Sequence, residues 1–552
     1  MNKLVTEKTK QLVDDLKSIC ANHGLGNDGN EYKIITEVFL YKFINDKFFY
    51  EVRRLDEQYS NTKNLEEFLK SLADNKYELL LAKLNANVAK LKKEHFLSNL
   101  YNNQNKEQYA IYFDDTMRAI ATFNAAIFSV GTSGGEKIRL FSGISNYVAE
   151  EAKRDGFCRS IINKLFECNF GEIFHEKYDF FATIFEYLIK DYNKDGGGKY
   201  AEYYTPHAVA RIMSEILVTG KVSNALCYDP SAGTGSLLMS LAHQIGEDRC
   251  TIYSQDISQK SSTLLRMNLI LNTLVHSLPN VVQGNTLTEP YHMKKGMSFD
   301  YIVSNPPFKL DFSDWRDSID ASKQSAVEDE DEETKKLNKR FFAGVPKIPK
   351  KDKDKMAIYL LFIQHIISSL KSKGKAAVVV PTIFLTKGKE KIKNKIRKRL
   401  VDEKMLRAVV SMPSNIFATT GTNVSIIFID KGNTSDNVVL VDASNLGEKV
   451  KEGKNQKTLL SGEEEQCIID AVNKQTTKDE FSVVKTFDEI KTEKYSFNPG
   501  GYFDVNVEHA NISPDEFTAI MEKSKTKLVA MFAESNELEK AILKGFKGLL
   551  YE

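Results

Sequence analysis

The tetrapeptide Asn305-Pro306-Pro307-Phe308 follows directly on the apolar run of residues 299–304. A buried strand ending this way builds a stiff turn, because both prolines hold φ near one value and neither carries an N–H. Such a turn can aim three groups at one point: the Asn305 amide oxygen, the Pro306 carbonyl and the Phe308 ring. Together they can accept both hydrogens of a planar exocyclic amine and stack on the heterocycle that bears it. Methyl transfer to an adenine amino group requires that arrangement. The bare tetrapeptide is equally an ordinary turn, so a second motif has to decide.

That motif lies upstream, in residues 226–238, which read as a short strand, a glycine turn and the start of an apolar helix. Gly233 and Gly235, with Ser231 and Thr234 between and before them, let the backbone bend tightly beside the N–H groups of a helix start. Asp229 at the strand end can receive the ammonium group of an amino-acid moiety. The next strand ends at Asp256, which can bind ribose hydroxyls. The rival reading is a nicotinamide dinucleotide site, since Asp256 stands 21 positions after Gly235, near that motif's spacing. The third glycine is missing, however, and a dinucleotide enzyme has no use for the Asn-Pro-Pro-Phe corner. The two motifs in this order predict a methyltransferase.

Strands are expected at 226–228, 251–253, 280–282, 301–303, 376–380, 407–410 and 424–429, alternating with helices between about 175 and 475. Their continuous apolar character suits a sheet covered on both faces, an α/β, doubly wound, Rossmann-like architecture. Asp229, Asp256, Asn285 and Asn305 all fall at or just past predicted strand ends, where such sheets bind ligands. Residues 1–165 read as a helical domain: Leu12, Leu16, Ile19 and Cys20 make one stripe, and 32–49 is densely apolar. Residues 309–355 read as a mobile charged insertion, with an acidic run at 328–333 and five lysines between Lys347 and Lys355. Those lysines, and the basic stretch 387–399, are candidate phosphate contacts or simply solvated faces. Residues 500–552 form a helical tail in which Leu528, Met531, Leu538, Ile542 and Leu549 recur at heptad-like spacing.

The chain has 552 residues, too many for one compact core. Its net charge of +1 argues against a protein that coats itself in basic residues and binds nucleic acid alone. Six scattered cysteines without a Cys-x-x-Cys pair suggest reduced thiols in a cytoplasm and give no sign of zinc. No apolar run approaches membrane-spanning length, so no membrane is expected.

With both motifs in place, the sequence resembles the modification subunits of type I restriction–modification systems, which are adenine-N6 DNA methyltransferases. Residues 34–48 look like that family's N-terminal helical signature, and 179–189 like the helix leading into the catalytic domain. Residues 201–206 match its Gly-Glu-Phe-Phe-Thr-Pro element, with Ala201 in the glycine position. Residues 283–290 and 412–423 resemble further family elements. The resemblance implies S-adenosyl-L-methionine as cofactor, with Tyr204, Thr205 and Pro206 toward its methionine end and Asn285 or Leu287 toward its adenine. It implies duplex DNA as substrate, a separate specificity subunit, an ATP-dependent restriction subunit, and two copies of this chain per specificity subunit. The tail helix would then meet the specificity subunit; the plainer reading has it return onto its own domain.

A base within a duplex cannot reach the corner, so the target adenine must be flipped out. Phe308 would stack on it, and Phe417 either forms the opposite wall or is a core aromatic. Three rival functions fit the sequence less well. A protein-glutamine methyltransferase usually has tyrosine in place of Phe308 and a shorter chain. A stand-alone type II adenine methyltransferase needs a recognition domain that is not evident. A silent scaffold has no need of two intact motifs.

Overall fold

In a computed structural model, the described residues are 3–26, 30–132, 137–175, 183, 184, 187, 205–320, 337, 339–349, 351–388, 390–417, 423–452, 455–503 and 513–547. Tyr204, most of 179–189 and 201–206, the acidic run 328–333, residues 418–422 and Leu549 lie outside them. Residues 1–502 form one compact unit and 503–552 a second.

The first unit is built on an eleven-stranded sheet. In chain order its strands are β1 (Val130–Thr132), β2 (Lys137–Ile138), β3 (Ala225–Asp229), β4 (Cys250–Asp256), β5 (Val281–Gln283), β6 (Phe299–Ser304) and β7 (Leu370–Pro381). There follow β8 (Leu406–Ser411), β9 (Val424–Asp430) and β10 (Asn437–Asp442), then a separate hairpin of β11 (Glu448–Glu452) and β12 (Asn455–Leu459), and last β13 (Ser482–Thr486). The spatial order is β13-β10-β8-β9-β7-β6-β3-β4-β5-β1-β2. From β5 through β4, β3 and β6 to β7 every pairing is parallel, and β9 runs antiparallel between β7 and β8. The doubly wound sheet expected from the sequence is therefore present. Its central strands are legible because runs such as Ala376–Val380 are buried on both faces.

The chain leaves β3 for β4 and β5 on one side, then returns to place β6 on the other. The carboxyl ends of β3 and β6 thus flank the point where strand order reverses, the usual ligand crevice of such sheets. Asp229 closes β3, and Asn305 directly follows β6.

The N-terminal segment is mainly helical, with long helices at Lys3–Asn22, Glu31–Arg53, Tyr109–Phe123 and Glu151–Glu167. It also supplies β1, which pairs parallel to β5 through Gly131 and Thr132, so these helices share one hydrophobic core with the sheet. Strands of two or three residues carry no readable periodicity, which is why the sequence showed only helices here. Phe417 is buried in the same core, consistent with the plainer of its two readings.

The segment after Phe308 departs from the expectation of a featureless loop at both of its described ends. Residues Ser313–Arg316 form a helical turn, and Phe312, Ile319, Phe341 and Val345 are buried in a second, small core. In the basic stretch, Lys391–Asp402 is a helix that buries Ile396, Arg397, Leu400 and Val401. Arg397 is turned inward onto the carbonyls of Phe384 and Thr386, whereas Lys391, Lys395 and Lys398 are exposed on one face.

Among its described residues the second unit has one helix of 34 residues, Pro514–Lys547. Leu528, Met531, Leu538 and Ile542 on it are each more than half exposed, as are Phe532 and Phe546.

Candidate active site

The turn after β3 is shaped by its glycines. Gly233 has φ +53° and Gly235 φ +83°, values open to glycine at little cost. Gly235 caps the helix Ser236–Ile245, and a Cβ there would stand 2.1 Å from Leu265 Cδ1. Its close approach is therefore to a neighbouring helix rather than to a ligand. Asn268 from that helix also donates to the Thr234 carbonyl, at 3.2 Å.

Asp256 reaches back to this loop. Its Oδ2 accepts the Gly233 N–H at 2.9 Å and its Oδ1 the Ser258 N–H at 2.8 Å. Each oxygen keeps a further lone pair for a ligand. Asp229 accepts the Ser231 N–H and the Ser304 hydroxyl on Oδ1, both at 2.9 Å. Ser231 Oγ lies 2.8 Å from Ser304 Oγ, so β3 and β6 are tied at their ends, one residue before the Asn-Pro-Pro-Phe corner. Sequence reading missed Ser304, because a serine closing a strand carries no signal of its own.

Burial pushes the Asp229 carboxyl up to about 7, and Asp256 nearby adds to the rise, while the hydrogen bonds from Ser231 and Ser304 oppose it. The Asp256 carboxyl is also raised by burial, against the pull of the Ser258 and Gly233 N–H groups. Two buried carboxylates, with no cation acting on them among the described residues, favour a ligand that brings positive charge.

At the corner, Asn305 Nδ2 donates to Thr205 Oγ1 at 3.2 Å. The amide nitrogen is thereby engaged and Oδ1 is left to accept. Pro306 is buried, and Phe308 is half-buried with its ring edge-to-face on Tyr359, centroids 6.3 Å apart.

One cavity joins these parts. Thr205, Asp229, Ser231, Gly233, Asp256, Asn285, Leu287, Asn305 and Pro307 all line it. Pro206, Thr234, Gly235, Pro306 and Phe308 are not in its lining; Pro206 instead precedes the helix His207–Leu217, and Thr234 and Gly235 shape the turn. The lining also has an apolar part: Leu287, Ile358, Phe362 and Trp315, which pack in one small core, together with Ile257 and Leu310. Those last five were not singled out from the sequence, since nothing local separates an apolar residue facing a cavity from one facing a core. Asn285 Oδ1 accepts the Leu287 N–H at 3.0 Å, and Thr286 donates to the Pro230 carbonyl at 2.6 Å, which holds the loop after β5 against the loop after β3.

Residues 176–511, more than half of the chain, match the N-6 DNA methylase family. The chain belongs to that family. Among its relatives is the type I restriction enzyme MpnII methylase subunit of Mycoplasma pneumoniae, 28% identical over 368 residues, covering 63% of this chain and 63% of that protein. The MjaIX methylase subunit of Methanocaldococcus jannaschii is 26% identical over 401 residues, covering 69% of this chain and 65% of that protein. The match thus spans less than two thirds of either relative's length. In fold, the chain is similar to the type I restriction-modification methyltransferase subunit from Streptococcus thermophilus, with a TM-score of 0.69 at 21% identity over 90% of this chain and 100% of that one. The resemblance to type I modification subunits read from the sequence agrees with these relatives. No described helix is long and apolar enough to cross a membrane, and no described group of His, Cys, Asp and Glu could hold a metal ion.

Proposed function

We propose that the chain transfers a methyl group from S-adenosyl-L-methionine to the N6 amino group of an adenine flipped out of duplex DNA. One observation carries this reading: Asp229 and Asp256 share a single cavity with Asn305 and Pro307. The residues present fit the cofactor. Asp229, a buried carboxyl poised near neutrality, suits its ammonium group; Asp256 has lone pairs left for ribose hydroxyls; and the apolar lining around Leu287 suits its adenine. When bound, the cofactor supplies an electrophilic methyl on a positively charged sulfur.

The chain's own residues do the rest. Asn305 Oδ1 and the Pro306 carbonyl accept the two N6 hydrogens and favour the pyramidal, attacking nitrogen. They also stabilise the positive charge that grows on it, an effect exerted mainly in the transition state. Thr205 fixes the amide by accepting from Nδ2, which leaves Oδ1 as the acceptor. The amine sheds its proton after transfer, so no strong base is required. Phe308 stacks on the extruded ring and offsets part of the few kcal/mol (about) that flipping costs.

In this reading the chain is the modification subunit of a type I complex. A specificity subunit reads the sequence, two copies of this chain sit on it, and an ATP-dependent restriction subunit joins them. The long helix with exposed Leu528, Met531, Leu538 and Ile542 supports a docking role for residues 500–552. A net charge of +1 supports the dependence on a partner for DNA affinity. The test is transfer of a labelled methyl group to duplex DNA by the reconstituted complex, with Asn305→Ala beside the native chain. Expected is loss of transfer with cofactor affinity retained; substantial residual transfer refutes the role of Asn305.

A further inference from the structure

The segment after the Asn-Pro-Pro-Phe corner is anchored into the cavity wall at both of its described ends. On the outgoing arm, Phe312 and Ile319 are buried, and Trp315 packs against their small core while lining the cavity. On the return arm, Phe341 and Val345 join the same core, which also contains Leu287, Ile358 and Phe362. Those three are themselves cavity-lining residues, so the arms and the apolar wall are one packed body.

Three buried polar side chains lock it. Arg316, next to Trp315, donates from Nε to the Pro346 carbonyl at 2.8 Å and from Nη2 to that of Val345 at 3.4 Å. Gln364 accepts the Ala343 N–H at 2.7 Å and donates to the Gly344 carbonyl at 3.1 Å. Arg340 donates to the Leu337 carbonyl at 2.9 Å and, through Nη2, to the Leu287 carbonyl. Its guanidinium carbon stands 4.2 Å from the Phe341 ring centroid. Leu287 is thus held from both sides of its backbone, its carbonyl by Arg340 and its N–H by Asn285 Oδ1. A guanidinium is costly to bury, and this one is placed where it fixes a residue of the cavity wall.

We propose that Arg340 is a positioning residue for the cofactor, acting through the Leu287 carbonyl, and that Trp315 forms the wall against which the cofactor's adenine ring packs. The proposal rests on the cofactor reading above. It gives the described arms on either side of the acidic run a place in the apolar wall of the site.

Trp315 is the chain's single tryptophan, so its emission reports from one place. The full-length chain is titrated with S-adenosyl-L-methionine and with its demethylated product, by calorimetry and by tryptophan emission in parallel. Expected is a saturable emission change whose midpoint matches the calorimetric Kd. Arg340→Met should then raise Kd about tenfold or more, as loss of a charge-assisted hydrogen bond does, and shift the emission of the free protein. Arg340→Lys, which retains one charged donor without the fork, should recover part of both effects. Should Arg340→Met fail to fold, Arg340→Lys and the half-buried Trp315→Ala decide instead, the latter with an expected rise in Kd of about tenfold. A wild-type Kd in folded Arg340 variants, or cofactor binding that leaves Trp315 emission unchanged, overturns this proposal alone. No calorimetric binding to the native chain overturns the cofactor reading itself.

Discussion

Cofactor affinity should rise steeply with pH up to neutrality, because Asp229 must lose its proton to pair with an ammonium group. Burial holds this carboxyl near 7 in the free protein. Below that value it is a neutral acid, which forfeits the charge pairing, and binding must first expel the proton. Binding to the ionised form alone lowers apparent affinity by about tenfold at pH 6 and about a hundredfold at pH 5, relative to the plateau. In free energy that is about 1.4 kcal/mol per pH unit. A descending limb begins near pH 8 (about), where the α-amino group of the ligand itself deprotonates, so the maximum falls between the two. Calorimetric titrations across this range, in buffers of different ionisation enthalpy, measure both the affinity and the protons released. Asp229→Asn should bind more weakly and lose the ascending limb. An affinity that stays flat across the acidic range refutes the argument. A slope that persists unchanged in Asp229→Asn transfers the titration to Asp256, whose carboxyl is also raised by burial.

Thr205→Val removes the acceptor of Asn305 Nδ2 while keeping side-chain volume; turnover at saturating cofactor should fall about tenfold, the worth of one hydrogen bond, as single-turnover kinetics would show. Asp256→Ala should weaken cofactor binding rather than turnover, since it removes an acceptor for groups held alike in ground and transition states and frees the Gly233 N–H; titration against wild type checks it. Deletion of residues 503–552 should leave cofactor binding intact, because 1–502 is a compact unit by itself, while capture of the specificity subunit in co-purification is lost. Loss of cofactor binding in that truncated chain would place the tail in the catalytic core.

The buried strands of the sheet were legible along the chain. Residues such as Ala376–Val380 and 426–429 are apolar without a break, and only strands covered on both faces need to be. Asp229, Asp256 and Asn305 stood out because each lies at or just past the end of a predicted strand, where such sheets bind their ligands. Glycines and prolines act through their own backbone, so the turns after β3 and β6 could also be read locally. What no local pattern contained were pairings across long stretches of chain. Thr205 meets Asn305 across a separation of 100 residues, and Ser304 meets Asp229 across 75. The sheet brings Ser304 to Asp229 by placing β6 beside β3, an ordering that hydrophobic periodicity does not encode. Trp315, Phe362 and Leu310 look in sequence like any core residues, yet the folded chain places all three in the cavity lining. Arg340 sits among charges that suggest solvent, yet it is buried, because its hydrogen-bond acceptors are carbonyls such as that of Leu287, which only the folded chain delivers to it. A residue's chemistry and its backbone preference are local properties; which groups share a cavity depends on strand order and on what packs over the ends of the strands.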